Sequence, residues 1–292
     1  MHRTLPVRLG VAALAVLGAS VLAGPGAAAL LVYEPFAYEP RTLLDGAPTT
    51  GLNLDGHYQP LGAIEAQKLV VASPGLGYGN LGGTPPAAGQ RANDANGVTA
   101  AGATVAFTQA VALPAGSTLY WSALFRFDDS GNANRFANIT LRDDDSGDEI
   151  GFGEPVVGVR AIRVSAATTA TGELVADGAD GSFQDGQTLL LIGRYENGAA
   201  PGDDRLDLIG YDTAVAHVLP ASFDPSDPHA AFAYSLSGID IDLAQITSAS
   251  FTIRGTDDNA IDELRIGTSY AAVVLPEPGT LAFLLLGVLG LA

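Results

Sequence analysis

Side chains in STLYWSALFRF, residues 117–127, alternate in character with a period of two. Leu119, Trp121, Ala123, Phe125 and Phe127 fall on one face. Thr118, Tyr120, Ser122 and Arg126 fall on the other, and Leu124 breaks the rule. Period two suits a pleated strand, whose successive Cβ atoms point to opposite faces, and not a helix of period 3.6. The same alternation appears in ASFTIRG, where Ala249, Phe251 and Ile253 interleave with Ser250, Thr252 and Arg254. Such patterns predict half-buried antiparallel strands. TLLLIGRYE, Thr188–Glu196, starts with a continuous apolar run, which suits a strand covered on both faces.

Turn chemistry separates these runs: Asp128-Asp129-Ser130-Gly131-Asn132, Asp145-Ser146-Gly147-Asp148, Asp185-Gly186 and Glu196-Asn197-Gly198. Asx and glycine residues tolerate the backbone that hairpins need. From Leu30 to about Leu275 no capped amphipathic helix interrupts the pattern, so the expectation is all-β: an antiparallel sandwich or barrel. Gly75–Gly97, rich in glycine, alanine and proline, is expected to be a long surface loop.

The 292 residues are enough for a real core, and the absence of cysteine leaves that core without disulfides. It also excludes thiolate nucleophiles and thiolate metal sites. A formal net charge of −18, with lysine only at Lys68, excludes nucleic acid as a partner, because a polyanion is repelled.

The two ends differ from the body. Arg3 and Arg8 precede an apolar run from Leu9 to Leu22, and then come Gly24-Pro25-Gly26 and Ala27-Ala28-Ala29. A charged start, an apolar middle and small residues read as an export signal over residues 1–29, cleaved near Ala29. At the other end, Pro276-Glu277-Pro278 introduces an apolar run from Leu281 to Leu291. As a helix, residues 279–292 would span roughly 21 Å at about 1.5 Å per residue, against a hydrocarbon core of about 30 Å.

Residues 276–292 resemble the PEP-CTERM sorting signal of Gram-negative bacteria, carried here by Pro276, Glu277, Pro278 and the leucine run. The resemblance implies transient inner-membrane association, cutting near the motif by an exosortase-type transpeptidase, and release to the outer envelope or extracellular matrix, often alongside exopolysaccharide. A terminal basic cluster belongs to that pattern and is missing after Leu291-Ala292. A clipped end and a degenerate signal both fit that departure.

Residues 30–275 carry a second resemblance. LLVYEPFAY (Leu30–Tyr38), Leu119–Ser122 and NAIDELRIGTSYAAVV (Asn259–Val274) resemble, in that order, segments of exported bacterial proteins with a concanavalin A-like, laminin-G-like jelly roll. It implies one domain of two curved antiparallel sheets, closed by the strand at Asp262–Thr268. The full expectation is an all-β antiparallel sandwich flanked by an N-terminal signal helix and a short C-terminal hydrophobic helix.

Chemical motifs are few. Gly77-Tyr78-Gly79-Asn80-Leu81-Gly82 fits G-x-G-x-x-G, but Gly83-Thr84-Pro85-Pro86 cannot open the helix a dinucleotide site needs. Glu149 and Glu154 are candidates for a glycosidase pair, since laminarinase-like jelly rolls carry Glu-x-Asp-x-x-Glu on one strand. Gly151 replaces the aspartate here. Glu263, beside Asp262, is a further acid candidate, and capping or bridging near the closing strand is the competing role for both. His57, His217 and His229 lie far apart in loop-like sequence, with no zinc motif. Asp143, Asp145 and Asp148 in one turn, with Asp128 and Asn132 in another, are candidate oxygen ligands for structural calcium. No other cofactor is implied. The expectation is a non-catalytic, exported envelope or matrix protein associated with exopolysaccharide, and its competitor is a carbohydrate-active enzyme.

Overall fold

In a computed structural model, the described residues run from Ala29 to Val274, apart from 41, 45, 62–68, 83–90, 95–100, 128–135, 155–162, 169–171, 178–185, 201, 242 and 255–258. The expected signal helix and hydrophobic tail helix, with Pro276, Glu277 and Pro278, lie outside them.

Strands are numbered in chain order. One sheet contains β1 (Leu30–Glu34), β3 (Leu69–Ala72), β5 (Arg91–Asp94), β7 (Thr118–Phe127), β12 (Gln187–Glu196), β13 (Asp204–Asp212), β15 (Phe232–Ile239) and β17 (Ala260–Gly267). Their order is β15-β13-β12-β7-β17-β5-β3, with β1 also paired to β17. The other sheet contains β2 (Leu54–Pro60), β6 (Ala101–Ala112), β8 (Phe136–Arg142), β9 (Glu149–Gly153), β10 (Arg163–Thr168), β11 (Gly172–Asp177) and β16 (Gln245–Arg254). Its order is β11-β10-β9-β8-β16-β6-β2. Neighbours within both sheets pair antiparallel, and β4 (Leu81–Gly82) with β14 (His217–Val218) forms a small parallel pair. The helix among the described residues is α1 (Tyr270–Val274), and none there is long and apolar enough to cross a membrane. The chain is therefore an all-β antiparallel sandwich.

Alternation explains the core. Leu119, Trp121, Phe125 and Phe127 of β7 point between the sheets, where they share one buried cluster with Phe152, Phe251 and Ile253. Leu124, the residue out of pattern, joins a second cluster with Leu190, Ile192, Ile209 and Tyr211 on the outer face of the first sheet. That face is covered by Leu76, Tyr78 and Leu81 and by Tyr270, Val273 and Val274 of α1. The first sheet is thus buried on both sides, as the apolar run in β12 predicts.

The second sheet keeps a polar outer face. One row across it pairs Thr104 with Ser250, Ser250 with Thr140, Thr140 with Gly151, and Gly151 with Ser165.

One expectation needs correcting. Gly75–Gly97 is not simply a surface loop, because it contains β4 and β5, and Leu76, Tyr78 and Leu81 are buried. Its glycines allow this close packing. Gly79 has φ +55°, and a Cβ there would stand 2.2 Å from the Thr213 carbonyl oxygen.

Glycine also makes room for the only tryptophan. Gly193 lies directly opposite Trp121, and a Cβ on it would stand 2.0 Å from Trp121 Cε2. Gly193→Ala must push the indole off the strand it covers. Overpacking of this kind costs about 1–3 kcal/mol. Urea unfolding followed by Trp121 fluorescence should show a lower midpoint with an unchanged slope. An unchanged midpoint would mean that the ring does not rest on β12.

Candidate functional site

The least expected chemistry lies under the closing strand. β17 bulges between Asp262 and Arg265, and Glu263 adopts φ 57°. Glu34, Asp262 and Glu263 are all fully buried, with Arg265 beside them at 4% exposure. Tyr33 donates to Glu263 Oε2 at 2.9 Å, and Arg265 Nη2 donates to the same oxygen at 3.3 Å. The Arg265 guanidinium also lies 4.7 Å from the centre of the Tyr33 ring. Asp262 accepts from the Leu76 and Glu263 amides at 2.8 and 2.9 Å. Glu34 accepts from the Phe36 amide at 2.5 Å, from the Tyr38 hydroxyl at 3.2 Å and from the Tyr58 hydroxyl.

Burial pushes the Glu34 carboxyl up to about 7, against the pull of hydrogen bonds from Tyr58, Phe36 and Tyr38. Burial, reinforced by the Glu263 charge, holds Asp262 well above the usual carboxylate range. The arrangement ties β1, the segment at Leu76 and β17 together. Asp262 and Glu263 therefore bridge, the competing role assigned to them above. Glu263 has no solvent-facing side-chain surface to offer a glycosidic oxygen.

The other acid candidates do not converge. Glu149 stands at the edge of β9, paired with Arg142 on β8 at 2.6 Å. Glu154 is 6% exposed, and its amide donates to the Ala137 carbonyl at 2.8 Å. Gly153, at φ 115°, turns the backbone just before it. The turn between β8 and β9 holds Asp143, Asp145 and Asp148, with Asp143 and Asp148 each 3% exposed. Asp143 Oδ1 accepts from the Asp145 amide at 3.0 Å, and Gln245 Nε2 donates to Asp145 Oδ2 at 3.0 Å. These carboxylates hold the hairpin to β16. No group of three or more metal-ligating side chains arranged to hold an ion occurs among the described residues. Asp128 and Asn132 lie outside them.

Two histidines do come together, which corrects the sequence reading. His217 stacks on His229 with ring centroids 4.3 Å apart, and on Tyr211 at 5.8 Å. Asp227 Oδ2 accepts from the Tyr211 hydroxyl at 2.9 Å and lies 3.3 Å from His217 Nε2. Burial works to raise the Asp227 pKa. Hydrogen bonds from the His229 amide and Tyr211, with His217 adjacent, outweigh it and hold the carboxyl below its ordinary value. Eleven residues separate the two imidazoles in the sequence, so no short-range pattern announces the stack. His57 is elsewhere, its Nδ1 2.8 Å from the Gly46 carbonyl oxygen.

An open pocket of about 390 Å³ lies where β13 ends, lined by Asn80, Gln187, Thr188, Asp212, Thr213 and Ala214 with Gly79 and Gly186. Its polar groups are fixed in place. Gln187 Nε2 donates to Asp212 Oδ2 at 3.0 Å, and the Ala214 amide donates to Asp212 Oδ1 at 2.8 Å. Asn80 Nδ2 donates to the Ala214 carbonyl at 2.7 Å, and Thr213 Oγ1 to the Thr188 carbonyl at 3.0 Å. Asn80 belongs to the glycine run that resembles a dinucleotide fingerprint. Here the last two residues of the run form β4, and Gly79-Asn80 make the turn before it.

No protein-family model matches the chain, and no curated protein matches its sequence. Among solved structures it is similar to the globular domain of T. cruzi calreticulin, at 8% identity and TM-score 0.47, over 82% of this chain and 88% of that one. It is also similar to the VIP36 exoplasmic/lumenal domain solved in a Ca2+/Man3GlcNAc-bound form, at 13% identity and TM-score 0.39, over 78% and 87%. Lectin II from Ulex europaeus is a third such structure, at 9% identity and TM-score 0.40, over 73% and 92%. No residue role passes from them to this chain.

The buried carboxyls make a prediction. Glu34 and Asp262 hold protons more tightly when folded than when unfolded. The contribution of Glu34 to stability is therefore full below its ordinary value of 4.5 and is lost as pH rises through about 7, and that of Asp262 falls in the same direction as pH rises. For Glu34 alone that loss is roughly 3 kcal/mol. Chemical denaturation between pH 5 and 8 should show the wild type weakening as pH rises, and Glu34→Gln should flatten the slope where Glu149→Gln does not. Equal slopes in all three proteins would refute the assignment.

Proposed function

We propose that this chain is an exported, non-catalytic protein of the cell envelope or extracellular matrix that binds a neutral polysaccharide in the pocket at Asp212. The pocket carries the reading. A carboxylate has about four lone-pair sites, and two of those on Asp212 are taken by Gln187 and Ala214, which fix its plane. A held carboxylate with amide side chains beside it suits the paired hydroxyls of a sugar ring, and its volume falls in the range of small-ligand sites. A net charge of −18 disfavours anionic polymers and favours a neutral one.

Export and sorting are supported by the sequence at both ends. Arg3, Arg8, the Leu9–Leu22 run and Ala27–Ala29 supply a signal, and Pro276-Glu277-Pro278 with the leucine run supplies the handle for an exosortase-type transpeptidase. The non-catalytic part is supported by the fate of the acids: Glu263 is fully buried, and Glu149 is salt-bridged to Arg142.

Affinity electrophoresis through gels containing neutral polysaccharides tests this directly. The wild type should be retarded without release of reducing sugar. Gln187→Ala and Asp212→Asn should each weaken retention about tenfold, close to one polar contact, with little change in thermal midpoint. Retention unaffected by either substitution would move the ligand elsewhere. Sugar release abolished by Glu149→Gln or Glu263→Gln would replace binding with hydrolysis.

A further inference from the structure

The sequence contains two Asp–Pro bonds, Asp224-Pro225 and Asp227-Pro228, both in the loop between β14 and β15. Each aspartate opens a turn whose second residue is the proline, a position that suits its fixed φ. The Asp227 amide donates to the Asp224 carbonyl at 3.1 Å, and the Ala230 amide donates to the Asp227 carbonyl at 3.1 Å. The two turns are alike in backbone and differ around their side chains. Asp224 Oδ1 accepts from the Ser226 amide at 2.9 Å and from its hydroxyl at 2.6 Å. Asp227 Oδ1 accepts from the His229 amide at 2.9 Å, and its Oδ2 meets both Tyr211 and His217. The Asp227 side chain is 6% exposed, whereas Pro228 and His229 are open to water.

An aspartate carboxylate can close a five-membered ring on its own carbonyl carbon. The X–Pro amide is tertiary, and its nitrogen leaves once it takes a proton. The reaction therefore needs an ionised carboxylate, a polarised carbonyl and a proton donor. Despite burial, hydrogen bonds from the His229 amide and Tyr211 hold the Asp227 carboxyl below its ordinary value. The Ala230 N–H lies on the carbonyl oxygen where charge develops during attack. The stacked imidazoles of His217 and His229 are groups of the type that takes up protons between pH 8 and 5. Around them stand Tyr211 on β13, Tyr270 on α1 and Asp224 in the same loop. Burial raises both tyrosines, which stay neutral throughout that range.

We propose that the chain cleaves its own Asp227–Pro228 bond in mildly acidic water. A carboxylate oxygen of Asp227 bonds to the Asp227 carbonyl carbon, and the C–N bond to Pro228 breaks. The proline nitrogen leaves with a proton from the imidazole stack. The cyclic anhydride left on Asp227 takes up one water and opens to two carboxyl groups. The C-terminal piece, residues 228–292, keeps β15 on β13, β16 between β6 and β8, and β17 on β7, so the two pieces stay together. Residues 214–227, which begin at the Asp212 pocket, are then freed at one end. This activity does not depend on what the pocket binds.

The purified full chain is held at pH 5 and at pH 8, and its intact mass is read after denaturation at neutral pH. At pH 5 two fragments should appear, one ending at Asp227 and one starting at Pro228, with masses that sum to the parent plus one water. They should form at least about tenfold faster than at pH 8, and about tenfold faster than cleavage at Asp224–Pro225. Asp227→Ala should abolish them. The double variant His217→Phe with His229→Phe keeps two rings in the stack, and it should slow cleavage about tenfold and flatten its pH profile. Unfolding in urea at pH 5 should erase the preference for Asp227–Pro228. A chain that stays intact at pH 5 overturns the proposal. Equal rates at the two bonds, or a preference that survives urea, also overturn it, because acid lability of any Asp–Pro bond then suffices.

Discussion

Three buried carboxyl groups and one arginine hold β1 to β17. Charges that have lost water are tolerated only where hydrogen bonds replace it. Tyr33, Tyr38 and Tyr58 supply hydroxyls, Phe36 and Leu76 supply amides, and Arg265 supplies the counter-charge. Each acid has at least two donors, so removing one weakens its hold in the core without stripping it of partners. The clasp therefore fixes β1 on β17, and β17, between β7 and β5, completes the first sheet. Because β17 comes late in the sequence, this pairing has high sequence separation and the sandwich cannot close until nearly all of the chain is present.

The rest of the architecture follows from that closure. Once β1 lies on β17, Ala29 and α1 share a corner, and Gly79, Asn80, Gly186–Thr188 and Asp212–Ala214 form the pocket at the opposite end of β12. The first sheet, covered on both faces, is a rigid support for that pocket. Asp212 ends β13 and Gln187 opens β12, so both side chains project from anchored strands rather than from mobile loop tips.

Much of this is legible in the sequence because period two is a local signal. Leu119 to Phe127 declare a strand, and Leu124 together with Leu189–Ile192 declares that the sheet has two dry faces. The hairpin at Asp145–Asp148 is announced by its own turn residues. Contacts set by the fold at long range are not legible. Nothing near Glu34 in the sequence points to Glu263, 229 positions away, and nothing near His217 predicts a stack on His229 across a loop. Gly75–Gly97 misleads for a related reason: small residues read as exposed loop, yet here they let the backbone press against Thr213 and bury Leu76, Tyr78 and Leu81.

Whether β1 belongs to the global folding unit decides whether the clasp is the keystone or an ornament. Native-state hydrogen exchange under mild denaturant, read residue by residue, separates the two. On this account the amides of Tyr33, Phe36 and Leu76 open only with those of β7 and β17, at the free energy of global unfolding. Release of Tyr33 and Phe36 at a distinctly lower free energy, while β7 stays protected, would contradict it.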